Sequence, residues 1–177
     1  MKKWVLKGIN RLKQMKKKIV LLSSLVIVVG GLFLPIQSGF FLEDLNEEFI
    51  YFFPTTEEKL TVGWYHSVEL TPWEETFKVT TDGKLAFEST VYKTYGAGTP
   101  DVEGNVEILD DGFVRVTGIS RIISFYSLFY MPNSHYYLRI NNDMYELKDY
   151  VSDYTNVHIS YRKLPLYKWL VINYLMN

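Results

Sequence analysis

The side chains able to do chemistry are few: three histidines, no cysteine, and twenty acidic residues that all follow Leu42. The densest grouping runs Tyr65-His66-Ser67-Val68-Glu69-Leu70-Thr71-Pro72-Trp73-Glu74-Glu75-Thr76-Phe77-Lys78-Val79. Alternate residues of a strand share a face. Leu60, Val62, Trp64, His66 and Val68 therefore fall on one side of a first strand, and Trp73, Glu75, Phe77 and Val79 on one side of a second. A turn over Glu69–Pro72 places His66 opposite Glu75, both inside apolar layers. An imidazole and a carboxylate so paired satisfy each other's need for a polar partner. The same pair in an apolar wall is also a site for a ligand, a proton or a partner's side chain. His158 alternates with Ser160 and Arg162 and is expected to face water, and His135 precedes a strand with its direction open.

A second stretch, Tyr95-Gly96-Ala97-Gly98-Thr99-Pro100-Asp101, closes a long strand-like run. Closely spaced glycines permit positive φ or close backbone approach, either as a tight corner or as an anion-holding nest of amides. No phosphate-binding G-x-x-x-x-G-K-[ST] loop, H-E-x-x-H, G-x-S-x-G or EF-hand pattern occurs. The missing cysteines exclude disulfides, thiolate catalysis and Cys-based zinc sites. No catalytic residue, metal ligand or cofactor is assigned from these patterns. A small ligand-sensing domain or an enzyme is the alternative to a binding module, and an enzyme would have to use His66 with Glu69, Glu74 or Glu75.

These residues need rigid elements to hold them. Asp82-Gly83, Asp111-Gly112 and Asn141-Asn142-Asp143 punctuate runs rich in Val, Ile, Thr, Tyr and Phe. Strands are expected near 48–53, 59–68, 73–80, 84–94, 105–109, 113–118, 124–131, 136–141, 144–148 and 156–162. That spacing predicts an all-β antiparallel sandwich or open barrel, preceded by one transmembrane helix and followed by a short helix.

Charge divides the chain. Residues 1–18 carry eight basic and no acidic side chains, leaving a body of net charge −9. Ile19–Leu34 is uncharged for sixteen residues, roughly 24 Å of helix against a hydrocarbon core of about 30 Å. Continuation towards Phe40-Phe41-Leu42 would supply the missing length. The expected organisation is a basic cytoplasmic head (1–18), a transmembrane anchor (19–38), a connector (39–47), an extracytoplasmic β domain (48–163) and an apolar helix (164–177). The positive-inside rule keeps the head cytoplasmic and exports the domain in a single pass. A cleaved signal peptide, with a weak site before Gly39, is the alternative. The final helix, apolar nearly all round, is expected to dock on the β domain, with lipid or a membrane partner as the alternatives. The acidic body argues against nucleic acid as a partner.

The HSVELTPWEE stretch and the GAGTP stretch about thirty residues later resemble the bacterial family known as domain of unknown function 1850, over roughly residues 58–162. Its signature would include His66, Ser67, Glu69, Thr71, Pro72, Glu74, Glu75, Gly96, Ala97 and Gly98, without assigned roles. The resemblance implies a small exported or anchored protein. It also implies an accessory or binding role in solute uptake by tripartite ATP-independent periplasmic (TRAP) transporters of the TAXI type, with the membrane and transporter components as partners.

Overall fold

The computed structural model describes residues 2–46, 48–67, 69–93 and 104–176, with residues 2–12 and 175–176 as backbone only. Two compact units result: residues 37–163, and residues 1–36 together with 164–177.

The β unit contains two sheets. The smaller has the strand order β2-β1-β12-β9, formed by Pro35–Asp44 (β1), Phe49–Pro54 (β2), Tyr126–Phe129 (β9) and Asn156–Pro165 (β12). The larger has the order β11-β10-β3-β4-β5-β7-β6. Its strands are Lys59–Tyr65 (β3), Pro72–Val79 (β4), Leu85–Tyr92 (β5), Asn105–Ile108 (β6), Val114–Thr117 (β7), Tyr137–Ile140 (β10) and Asp143–Glu146 (β11). A short strand, Ile122–Ile123 (β8), pairs with the start of β5. One apolar core takes Phe40, Leu42, Phe53, Leu128, Val157 and Ile159 from the first sheet and Leu60, Val62, Phe77, Leu85, Leu138 and Ile140 from the second. The expected antiparallel sandwich is therefore present.

The turns follow their chemistry. Gly83 and Gly112 both sit at φ 81°, which only glycine adopts without strain. Ile140 pairs with Asp143, so Asn141-Asn142 forms a two-residue hairpin loop with Asn141 at φ 59°.

The entry to the domain departs from expectation. The first helix, α1 (Lys2–Leu32), ends one residue after Gly30-Gly31, and Pro35 then starts β1. Proline disfavours helix in the residue before it and cannot continue the ladder. The anchor expected over 19–38 thus ends as a helix at Leu32, and the connector expected over 39–47 is mostly strand. Phe40 and Leu42 are fully buried in the core and cannot lengthen a membrane segment. Among the described residues no helix is long and apolar enough to cross a membrane.

In the other unit, the second helix α2 (Leu166–Met176) belongs with α1. The Leu166 N–H donates to the Leu34 carbonyl at 3.0 Å. The rings of Phe33 and Tyr167 lie 5.2 Å apart. Within this unit the helix expected to dock on the β domain packs against the end of α1.

Candidate functional site

Strand β4 carries the two adjacent glutamates, and its pleat sends them to opposite faces. Trp73, Phe77 and Val79 are buried, so Glu75 points inward with them, while Glu74 and Thr76 face outward.

Outward, Glu74 is held by two residues of β10. Arg139 donates to it through both terminal nitrogens, at 3.3 and 2.6 Å, and the Tyr137 hydroxyl donates at 2.5 Å. Gly63 makes this possible. It pairs with Tyr137 on one side and Glu74 on the other, and a Cβ there would lie 2.1 Å from the Tyr137 ring. The ring crosses β3 through the gap that glycine leaves. Burial raises the pKa of Glu74, but the hydrogen bonds from Arg139 and Tyr137 outweigh it and hold the carboxyl below the usual range. Around this cluster runs a polar groove of about 450 Å³, whose floor includes Thr61, Thr76 and Ser89 and whose cations are Lys59, Arg115 and Arg139. Thr61 and Thr76 hydrogen-bond each other at 3.0 Å.

Inward, Glu75 lies 3.6 Å from Arg121 and accepts a hydrogen bond from Tyr126. Burial is the largest influence and raises its pKa, with Arg121 and Tyr126 offsetting only part. Beside it an aromatic wall forms. Trp64 and Trp73 stack at 5.6 Å, Tyr92 sits 4.9 Å from Trp73, and Tyr136 sits 5.9 Å from Trp64. The Trp73 indole N–H donates to Thr90 Oγ1 at 2.7 Å, and that hydroxyl donates to the Glu74 carbonyl at 3.0 Å.

His66 does not face Glu75. Trp64 pairs with Trp73 and Val62 with Glu75, so the hairpin closes through a longer loop than expected. His66 sits at the base of that loop, its N–H donating to the Thr71 carbonyl and its own carbonyl accepting from Leu70, both at 2.9 Å. Its Nδ1 accepts the Glu69 N–H at 3.2 Å. The imidazole stacks on Trp73 at 5.7 Å, so it joins the aromatic wall on the same face as Glu75. Leu70 takes φ 52°, a costly conformation for leucine, with its side chain exposed. Ser67 and Glu69 are exposed on the loop. Gly96, Ala97 and Gly98 lie outside the described residues. His158 is not simply solvated: it stacks on Phe125 at 4.2 Å. His135, exposed at φ 46°, meets the edge of Tyr65 at 5.9 Å.

The residues that sequence reasoning missed are the partners: Arg139 and Tyr137 for Glu74, and Arg121 and Tyr126 for Glu75. Only the small residue at Gly63 inside a strand hinted that another group passes there. Among the described residues no cluster of three or more His, Asp or Glu side chains is placed to hold a metal ion.

Neither the curated proteins nor the solved structures contain a match to this chain. Residues 60–147, from β3 through β11, match the family model for a domain of unknown function (DUF1850), and the span includes both glutamates, the loop of His66, and the Tyr137 and Arg139 that hold Glu74. The chain belongs to the DUF1850 family.

Proposed function

We propose that this chain is a membrane-anchored protein whose β domain works outside the cytoplasmic membrane, as an accessory or binding module in solute uptake by a TRAP-type transporter. The observation that carries the anchoring is the surface of α1. Every residue from Lys13 to Gly30 is exposed, and the aliphatic side chains between Ile19 and Val29 are 45–73% exposed. A helix apolar on all sides without protein around it is matched by lipid. The part of α1 free of charge, Ile19–Leu32, is only about 21 Å long. The aliphatic stems of Lys16, Lys17 and Lys18 extend it by snorkelling, and local thinning of the bilayer accommodates the remainder. The eight basic residues before Ile19 favour a cytoplasmic head.

Binding is supported by the groove beside Glu74, whose paired charges and hydroxyls suit a polar ligand or the polar side chains of a partner. A catalytic role for His66 with a glutamate has less support, because Glu74 and Glu75 point to opposite faces and His66 lies at a loop base. The test has two parts. The full chain should stay in the membrane pellet after alkaline carbonate washing while protease added outside removes the β domain. Cross-linking in intact cells should then recover a subunit of a TRAP-type transporter, and recovery should fall with Arg139→Ala. Release of the chain by carbonate would refute the anchoring. Recovery that is absent, or unchanged in Arg139→Ala, would refute the uptake role.

A further inference from the structure

The second helix, α2, presents an inverted surface. Tyr167, Leu170, Val171 and Tyr174 are its exposed apolar residues, and Tyr174 reaches 84% exposure. Their spacing of three, four and seven residues makes one continuous stripe. On a helix facing water that stripe would be polar. Here it holds two aliphatic residues between two tyrosines, and the only charged side chain of the helix is Lys168.

We infer that α2 is a second membrane-binding element, seated in the bilayer interface beside the end of α1, with this stripe on phospholipid. The inference rests on the anchoring of α1 proposed above. Three observations favour lipid over a protein partner. First, α2 forms one compact unit with α1, whose own aliphatic side chains from Ile19 to Val29 are exposed. Second, the contact between the helices lies at the end of α1 remote from Lys16, Lys17 and Lys18, through Phe33–Tyr167 and Leu34–Leu166. That end is where the short apolar run of α1 leaves a bilayer incompletely matched. Third, the composition is interfacial: at eleven residues, roughly 16 Å, α2 is too short to cross. Tyr167, Trp169 and Tyr174 are the amphipathic aromatics that settle at the headgroup level, and Lys168 can reach the phosphates. The chain is thus bound to the membrane both before β1 and after β12.

The absence of cysteine makes the test direct. Single-cysteine variants Val26→Cys, Ser67→Cys and Val171→Cys of the full chain are spin-labelled and reconstituted into vesicles of phosphatidylethanolamine and phosphatidylglycerol. Relaxation by oxygen, which concentrates in lipid, is compared with relaxation by a water-soluble nickel chelate. Labels at Val26 and Val171 should favour oxygen severalfold over the label at Ser67, with Val171 shallower than Val26. A Val171 label favouring the nickel chelate while Val26 favours oxygen would overturn the inference and leave the anchoring of α1 intact. A Val171 label shielded from both reagents would mean coverage by protein, either the β domain or a second copy, and would overturn it equally. If Val26 itself favours the chelate, the anchoring fails and the inference with it.

Discussion

Replacing Gly63 by alanine tests how the outward site is assembled. The new methyl group would sit 2.1–2.5 Å from two ring carbons and the hydroxyl oxygen of Tyr137, inside any van der Waals contact, so the ring must leave its path over β3. Tyr137 then loses its bond to Glu74. A hydrogen bond to a charged acceptor contributes about 1.5–3 kcal/mol, and forcing a methyl into an occupied space costs about 1–3 kcal/mol. Tyr137 is only partly buried and can swing outward, which relieves some of the crowding. A net loss of about 2–3 kcal/mol is expected, a fall in Tm of roughly 5–10 °C at this size. Thermal melts of the full chain in mild detergent, followed by near-ultraviolet circular dichroism, measure it. The decisive comparison is a double-mutant cycle. In a Tyr137→Ala background the obstacle is gone, and Gly63→Ala should be neutral or stabilising by about 0.5–1 kcal/mol, as for any glycine inside a strand. An equal loss in both backgrounds would refute the role given to Gly63.

Glu74 and Glu75 should affect the pH dependence of stability in opposite senses. The carboxyl of Glu74 is held below its ordinary value of 4.5, so its contribution is present above pH 4.5 and lost as pH falls through the lowered value; Glu74→Gln should flatten that acid limb in melts across pH. Glu75 is raised above 4.5, so between that value and its raised one the native state keeps a proton the unfolded chain has released. Stability therefore falls as pH rises through this window, and Glu75→Gln should abolish the fall; an unaltered profile would count against the burial of Glu75. Thr90→Val leaves the buried Trp73 N–H without its acceptor and should cost about 1–3 kcal/mol in the same melts. Glu43 is buried beneath a two-bond pairing with the half-exposed Arg162, so Arg162→Ala should cost about 3 kcal/mol, and changing both residues to leucine should restore most of it.

Strand positions were legible because they depend on local chemistry. Alternation of apolar and polar residues, bounded by Asp-Gly and Asn-Asn turns, located ten of the twelve strands among the described residues. The two that escaped had no such signal. Residues Ile122 and Ile123 form only a two-residue bridge, and β1 is buried on both faces, with Phe41 and Glu43 as enclosed as Phe40 and Leu42. A strand buried on both faces loses its period of two, and here it followed the apolar run of α1 almost without a break. The shared inward face of Trp73, Glu75 and Phe77 could also be read directly, because alternation along one strand is a local property.

Pairing between strands was a different matter. The expected His66–Glu75 partnership needed a tight turn at Glu69–Pro72, whereas the chain uses the six residues from His66 to Thr71 to reverse, closed by the His66–Thr71 bond. Lengthening that loop moves Val62 opposite Glu75 and lifts His66 out of the ladder onto Trp73. Register is fixed by turn geometry and by what the whole sheet can bury, and neither is visible in one strand.

By itself, then, the sequence determined the class of fold, the alternation that separates Glu74 from Glu75, and the split between a basic head, an apolar helix and an acidic body. Tertiary structure decided which groups those carboxylates meet. Arg139 lies 65 residues from Glu74 in the chain and Arg121 lies 46 from Glu75, and nothing local links either pair. It also decided that α2 keeps company with α1. The two helices are separated by the whole β domain in sequence, and they meet because the strands that follow one and precede the other, β1 and β12, are neighbours in the same sheet.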